Sequence, residues 1–187
     1  MLITLAGVTG IGKSYFTQKI ADELGLKKIA IITTRKRRKS EKDRIDKNFL
    51  TNEELEMLIA NGEIAYQLSY LGSKYVYLKK DIFSNENSIV ELYYNTIYDF
   101  KKMIPEMYSI YLMPYDIEKS KQKLIERNLR PEEQEMRLKK IEEEYQAVMK
   151  DKNLRSQFDD IFYNNYDLDS ERKLIELVKS VITRSIK

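Results

Sequence analysis

Eight consecutive residues carry the strongest chemical signal in this chain. Gly7-Val8-Thr9-Gly10-Ile11-Gly12-Lys13-Ser14 matches the pattern G-x-x-x-x-G-K-[ST]. Glycines let successive backbone N–H groups turn inward around a phosphate. A helix start behind such a loop adds about half a positive charge facing the anion. In this pattern Lys13 reaches the β- and γ-phosphates of a nucleoside triphosphate, and the Ser14 hydroxyl helps hold Mg²⁺. A chance glycine turn is the competing reading. The context disfavours it: an apolar run, 2–6, precedes the loop, and Phe16, Ile20, Ala21 and Leu24 follow at helical spacing. Candidate contacts to ATP are therefore Gly7, Thr9, Gly10, Ile11, Gly12, Lys13, Ser14 and the adjoining Tyr15, with Ser14 toward the metal. Tyr15 stands where many such loops carry a second hydroxyl residue.

A second anion-seeking segment follows. Thr33-Thr34-Arg35-Lys36-Arg37-Arg38-Lys39 puts five cations within seven positions. Such a run usually reads as a solvated or nucleic-acid-binding stretch. Here it lies just beyond a second apolar run, at the sheet edge where a phosphorylated acceptor must face the γ-phosphate. Guanidinium forks grip phosphate oxygens bidentately, which favours placed Arg over Lys.

The elements that must position these groups alternate. Apolar runs at 2–6, 28–32, 88–94, 108–113 and 160–163 read as strands. Segments 14–24, 116–127, 131–150 and 170–186 read as helices, and Thr51 with Glu54 forms a capping box ahead of Leu55, Leu58 and Ile59. Residues 33–47 read as a loop and 63–78 as short strands. This alternation predicts an α/β fold with a mostly parallel sheet covered on both faces.

Composition narrows the chemistry. The 187 residues include no Cys and no His. Disulfides, cysteine nucleophiles and the usual neutral-pH acid–base group are excluded. A Cys-free chain with no apolar run near the roughly 20 residues of a membrane span fits a cytoplasmic location. The net charge of +3 does not by itself imply a nucleic-acid partner.

In order and spacing these landmarks resemble the guanylate kinase family along almost the whole chain. Thr33-Thr34-Arg35 with Arg38 resembles T-T-R-x-P-R, with Arg37 in place of Pro. Asn61-Gly62-Glu63 resembles the N-G-E turn, Gly72-Ser73-Lys74-Tyr75 resembles G-N-Y-Y, and Ile89-Val90-Glu91-Leu92 resembles I-L-E-I. Arg127 and Arg137-Leu138 fit the lid and its helix, and 158–164 is similar to the strand leading to the adenine site. The resemblance implies one P-loop kinase domain over 1–187, with 1–32, 88–126 and 151–187 as core, 33–87 as acceptor subdomain and 127–150 as lid. It implies phosphoryl transfer from ATP, with Mg²⁺, to a nucleoside monophosphate or similar phosphorylated acceptor. Lys13, Arg127 and Arg137 would be catalytic, with Arg130 assisting, and Asn164 would sit near the adenine. Arg35, Arg38, Tyr66, Tyr75 and Glu91 would contact the acceptor.

The resemblance breaks at the guanine-reading positions. The family's two acidic readers fall at Tyr66 and Tyr93, and its serine, tyrosine and Ser/Thr positions fall at Ile31, Lys47 and Tyr77. Losing two carboxylates should relax or change the preference for guanine and leave GMP a poor acceptor. The alternatives are an ordinary guanylate kinase with a divergent pocket, a ribose-bisphosphate-type kinase, which needs no base reader, and a kinase-fold binding module without catalysis.

A phosphate clamp at Arg35 and Arg38 has a kinetic signature. Each Arg→Ala variant should lose about 1.5–3 kcal/mol, roughly ten- to a hundredfold in acceptor kcat/KM, with ATP affinity nearly unchanged. Steady-state kinetics checks this. Unchanged acceptor kinetics with weakened oligonucleotide binding would instead favour the nucleic-acid reading.

Overall fold

The computed structural model describes residues 1–37 and 48–185. Strand β1 (Leu2–Gly7) is buried at every residue, as an apolar run flanked on both sides requires. Helix α1 (Lys13–Leu24) follows the loop and turns Phe16, Ile20 and Ala21 inward. Further strands are β2 (Lys27–Lys28), β3 (Ile32–Thr33), β4 (Asn48–Phe49), β5 (Ile64–Tyr70), β6 (Ser73–Leu78), β7 (Ser88–Glu91), β8 (Tyr108–Pro114) and β9 (Asp160–Asn164). The other helices are α2 (Asn52–Ala60), α3 (Lys79–Ile82), α4 (Ile97–Met103), α5 (Ile117–Ile125), α6 (Pro131–Lys150), α7 (Lys152–Arg155) and α8 (Leu168–Ser185).

Five strands form a parallel sheet in the order β2-β7-β1-β8-β9. Its register places Leu5 opposite Glu91 and Gly7 opposite Leu112. The carboxyl ends of β1, β7 and β9 therefore open on one edge, where parallel sheets of this kind bind ligands. A second sheet, in the order β4-β3-β6-β5, pairs β6 antiparallel to both neighbours. The main core buries Leu5, Ile89, Ile110 and Leu112 completely or nearly so. A smaller cluster of Ile32, Leu55, Val76 and Leu78 holds α2 against the second sheet.

Two expectations from the sequence need revision. The apolar run 28–32 is not one strand. Lys27–Lys28 pairs with β7, whereas Ile32–Thr33 leaves for the second sheet and pairs with Val76 and Tyr75. No Gly or Pro marks the switch; tertiary partners decide it. Strand 88–94 stops at Glu91, and the chain turns through Tyr94–Thr96 into α4. Helix α4 is two turns long, and only Ile97 and Phe100 are buried, too few for a periodic signal.

Other local signals are realised as read. The Thr51 hydroxyl accepts from the Glu54 amide at 3.2 Å, and the Glu54 carboxylate accepts from the Thr51 amide at 2.7 Å. Helix α6 begins on Pro131, whose missing N–H is harmless there. Its buried residues, Ile141, Glu144 and Val148, all lie in its second half, so that half is anchored to the core.

Gly7 is the tightest point of the fold. Its φ is +149°, and a Cβ there would lie 2.5 Å from the Leu112 carbonyl oxygen. Backbone strain and overpacking each cost about 1–3 kcal/mol. Gly7→Ala should therefore lower stability by about 2 kcal/mol or more, measurable by urea denaturation.

Candidate active site

One cavity of about 200 Å³ at the carboxyl edge gathers most of the residues singled out above. Thr9, Gly10, Gly12, Lys13, Ser14 and Tyr15 form one wall. Arg35, Tyr75 and Glu91 face them from the second sheet and from the end of β7. Arg127 and Arg137 close it from the segment leading into α6 and from α6 itself. Ile31, Tyr70, Leu92 and Tyr93 complete the lining.

The loop is built as its spelling requires. Gly12 caps α1 in the left-handed region, φ +95°, which turns the first helical amides toward the cavity. Lys13 folds over the loop, its Nζ donating to the carbonyls of Gly7 at 2.7 Å and Val8 at 3.0 Å. These bonds keep the ammonium at the loop mouth. Ile11 points the other way into the core and is fully buried.

Several sequence candidates sit elsewhere. Asn164 is 2% exposed; its amide donates to the Ile11 carbonyl at 3.1 Å and accepts from the Tyr166 amide at 2.9 Å. Its side chain thus ties the phosphate loop to the turn after β9. It borders a second cavity of about 610 Å³, shared with Gly10, Tyr15, Arg127, Tyr166 and Leu168. Arg127 lines both cavities, the position expected of a group spanning a nucleoside triphosphate. The Tyr15 hydroxyl donates to Glu171 of α8, and its ring is exposed beside both cavities.

Tyr66 does not line the first cavity. Its hydroxyl donates to Asp99 at 2.7 Å, its ring meets Phe100 edge-on, and burial with the Asp99 bond pushes its pKa up to about 12. Tyr77 is buried at 1% exposure and donates to the Glu91 carbonyl at 3.0 Å, steadying the strand end that presents Glu91. Arg38 and Lys47 lie outside the described residues.

Sequence reading leaves Tyr70 and Glu144 out of the candidate site and names Tyr93 only as standing where an acidic reader is expected. Tyr70 and Tyr93 pack closely at a tilt of 43°, their ring centroids 4.4 Å apart, and Tyr75 packs edge-on against both. Burial raises the pKa of Tyr93 and Tyr70 well above that of a free phenol, so both stay neutral. Glu144 lies behind this cluster, bonded to Tyr70, and no local pattern in the Glu-rich helix distinguishes it from its solvated neighbours.

Among the described residues, no cluster of three or more His, Cys, Asp or Glu side chains could hold a metal alone. That suits Mg²⁺, which keeps waters and binds through substrate phosphates with one or two protein ligands. Ser14 and Glu91, both on the first cavity, carry oxygen atoms of the kind such an ion takes.

A family model described as guanylate kinase matches residues 1–183. The chain belongs to the guanylate kinase family. The guanylate kinase of Oceanobacillus iheyensis is 26% identical, covering 97% of this chain and 86% of that protein. The guanylate kinase of Lactococcus lactis is 29% identical over 94% of this chain and 87% of its own length. In fold, the chain resembles the crystal structure of guanylate kinase from Anaplasma phagocytophilum, with a TM-score of 0.75 at 20% identity, covering 96% of this chain and 85% of that one. As a member, the chain is a nucleotide kinase that uses ATP with Mg²⁺ to phosphorylate a phosphate-bearing acceptor. Among the described residues, no helix is long and apolar enough to cross a membrane.

Lys13→Ala removes the cation from the loop mouth without touching the core. Turnover should fall about a hundredfold or more, as when a charge-stabilising donor is lost, while the melting temperature stays within a few degrees. Kinetics paired with thermal melting checks both halves.

Proposed function

We propose that this chain transfers the γ-phosphoryl group of ATP to a nucleoside monophosphate, accepts GMP, and reads the base loosely. One observation carries the reading: the phosphate loop, Arg35, Tyr75, Glu91, Arg127 and Arg137 line a single cavity. In the proposed step an acceptor phosphate oxygen attacks the γ-phosphorus, the bond from phosphorus to the β–γ bridging oxygen breaks, and ADP leaves with a nucleoside diphosphate formed. Acceptor phosphate has a second pKa near 6, so its oxygen is already deprotonated at neutral pH. Positioning and positive charge are what remain to be supplied, and a protein without His can supply them.

The roles follow from placement. Lys13 and the loop amides would hold the β- and γ-phosphates, and Ser14 would hold Mg²⁺. Arg35 would grip the acceptor phosphate and the buried Tyr75 would donate its hydroxyl; for Arg38, outside the described residues, the sequence pattern alone supports a share in that grip. Arg127 and Arg137 would neutralise charge that develops in transfer. Asn164 would act through the loop it braces rather than on adenine itself. The Cys-free composition supports a cytoplasmic location.

Loose base reading follows from the lining. Guanine presents two donors on one edge, N1–H and the 2-amino group. Among the described residues, Glu91 is the one carboxylate on the first cavity; Tyr70 and Tyr93 contribute neutral rings and hydroxyls. Strong discrimination, about 10⁴-fold, needs a buried polar partner for each base donor. The same loss of acidic readers favours one alternative acceptor, a ribose bisphosphate. Relatives named guanylate kinase support GMP.

A coupled ATP-consumption screen of GMP, dGMP, AMP, CMP, UMP and ribose bisphosphates tests this. GMP should be turned over, with its kcat/KM within about a hundredfold of the best competing base, well short of the 10⁴–10⁵ of a site that pairs every donor. A GMP preference above about 10⁴ would refute loose reading, and no turnover of any nucleoside monophosphate would refute the acceptor class.

A further inference from the structure

We infer that Glu144 is a positioning residue that clamps the phosphate loop to the acceptor sheet. It is 3% exposed, yet it is a carboxylate on the most highly charged helix of the chain. Burial of a carboxylate carries a large desolvation penalty, so each of its oxygens needs a donor. Both have one. Oε2 accepts from the Thr9 amide at 2.7 Å, and Oε1 accepts from the Tyr70 hydroxyl at 2.7 Å. The hydroxyls of Thr9 and Tyr70 lie 3.3 Å apart, closing the triangle. The Tyr111 hydroxyl donates to the Glu144 backbone carbonyl at 3.2 Å and pins that turn of α6 to β8.

The three partners belong to three different parts of the molecule. Thr9 sits in the loop that holds the donor phosphates, Tyr70 ends β5 of the acceptor sheet, and Glu144 lies in the anchored half of α6. One carboxylate, its two oxygens fixed relative to each other, therefore sets the spacing of the donor and acceptor sides. In-line transfer is steep in that spacing, and a misplacement of about 1 Å can cost a hundredfold in rate. The cavity is also smaller than the roughly 300–1,000 Å³ of ligand pockets. The clamp therefore fixes the distance between the two walls of a small cavity. Glu144 touches neither reacting group; it acts through Thr9 and Tyr70.

This inference rests on the phosphoryl-transfer reading, and two experiments separate them. The first is kinetic, on the full chain carrying Tyr70→Phe, Glu144→Ala, Glu144→Gln, and Tyr70→Phe with Glu144→Ala. Glu144→Ala should lower kcat at least tenfold, a larger loss than the weakening it causes in the ATP-analogue Kd. Glutamine, which can accept from the Thr9 amide and donate to the Tyr70 oxygen, should recover most of that loss. Tyr70→Phe should lower kcat in the same direction, and the double variant should be no worse than Glu144→Ala. Unchanged kcat in Tyr70→Phe, or losses that multiply in the double variant, would overturn the clamp. The second experiment needs no substrate. Hydrogen–deuterium exchange of Tyr70→Phe, a mild change that keeps the ring, should rise in both the phosphate loop and β5. A rise confined to β5 would overturn the clamp even in a protein that turned over no nucleotide, whereas absent turnover with coupled exchange would refute only the function.

Discussion

A triphosphate can be held by backbone amides only if those amides are kept facing inward, and a loop of small residues does not hold that shape unaided. The bracing of residues 7–14 is the constraint on which the rest of this structure depends. Gly7 packs against the Leu112 carbonyl where a Cβ would not fit. Lys13 ties back to the Gly7 and Val8 carbonyls, Asn164 holds the Ile11 carbonyl, and Glu144 holds the Thr9 amide. These braces come from β8, α1, β9 and α6. The parallel sheet is what brings those elements to one edge.

Charge follows from the same arrangement. Phosphoryl transfer needs cations around oxygens that are already ionised, and the first cavity collects Lys13, Arg35, Arg127 and Arg137 around the loop. The absence of His from the sequence is no obstacle to that chemistry. Among the described residues, Glu91 is the one carboxylate on this cavity. A cluster of Tyr70, Tyr75 and Tyr93, packed edge-on and at a tilt, also lines it and gives it shape and hydroxyls.

Legibility in the sequence tracked how local each cause is. The phosphate loop, the Thr51 capping box and the Pro131 helix start are each specified within a few residues, and each could be read directly. The split of 28–32 between two sheets depends on which distant strand each half meets, β7 or β6, and no residue in the run encodes it. Tyr66 aligned with a base reader, but its hydroxyl is taken by Asp99, 33 positions away. The pattern around Asn164 points to a nucleotide neighbour, and nothing local in it signals the buried amide bonds by which Asn164 also holds the loop. Glu144 was invisible because its partners, Thr9 and Tyr70, lie 135 and 74 positions away.

The most direct measurement of the braced loop is an amide NMR titration of the full chain with a non-hydrolysable ATP analogue and Mg²⁺. The largest shifts should fall on Gly10, Gly12, Lys13 and Ser14, with smaller ones on Asn164 and on Glu144 through the bonds that brace the loop. Saturable binding that leaves those four loop amides unmoved, or shifts centred on another surface, would contradict a phosphate cradle at residues 7–14.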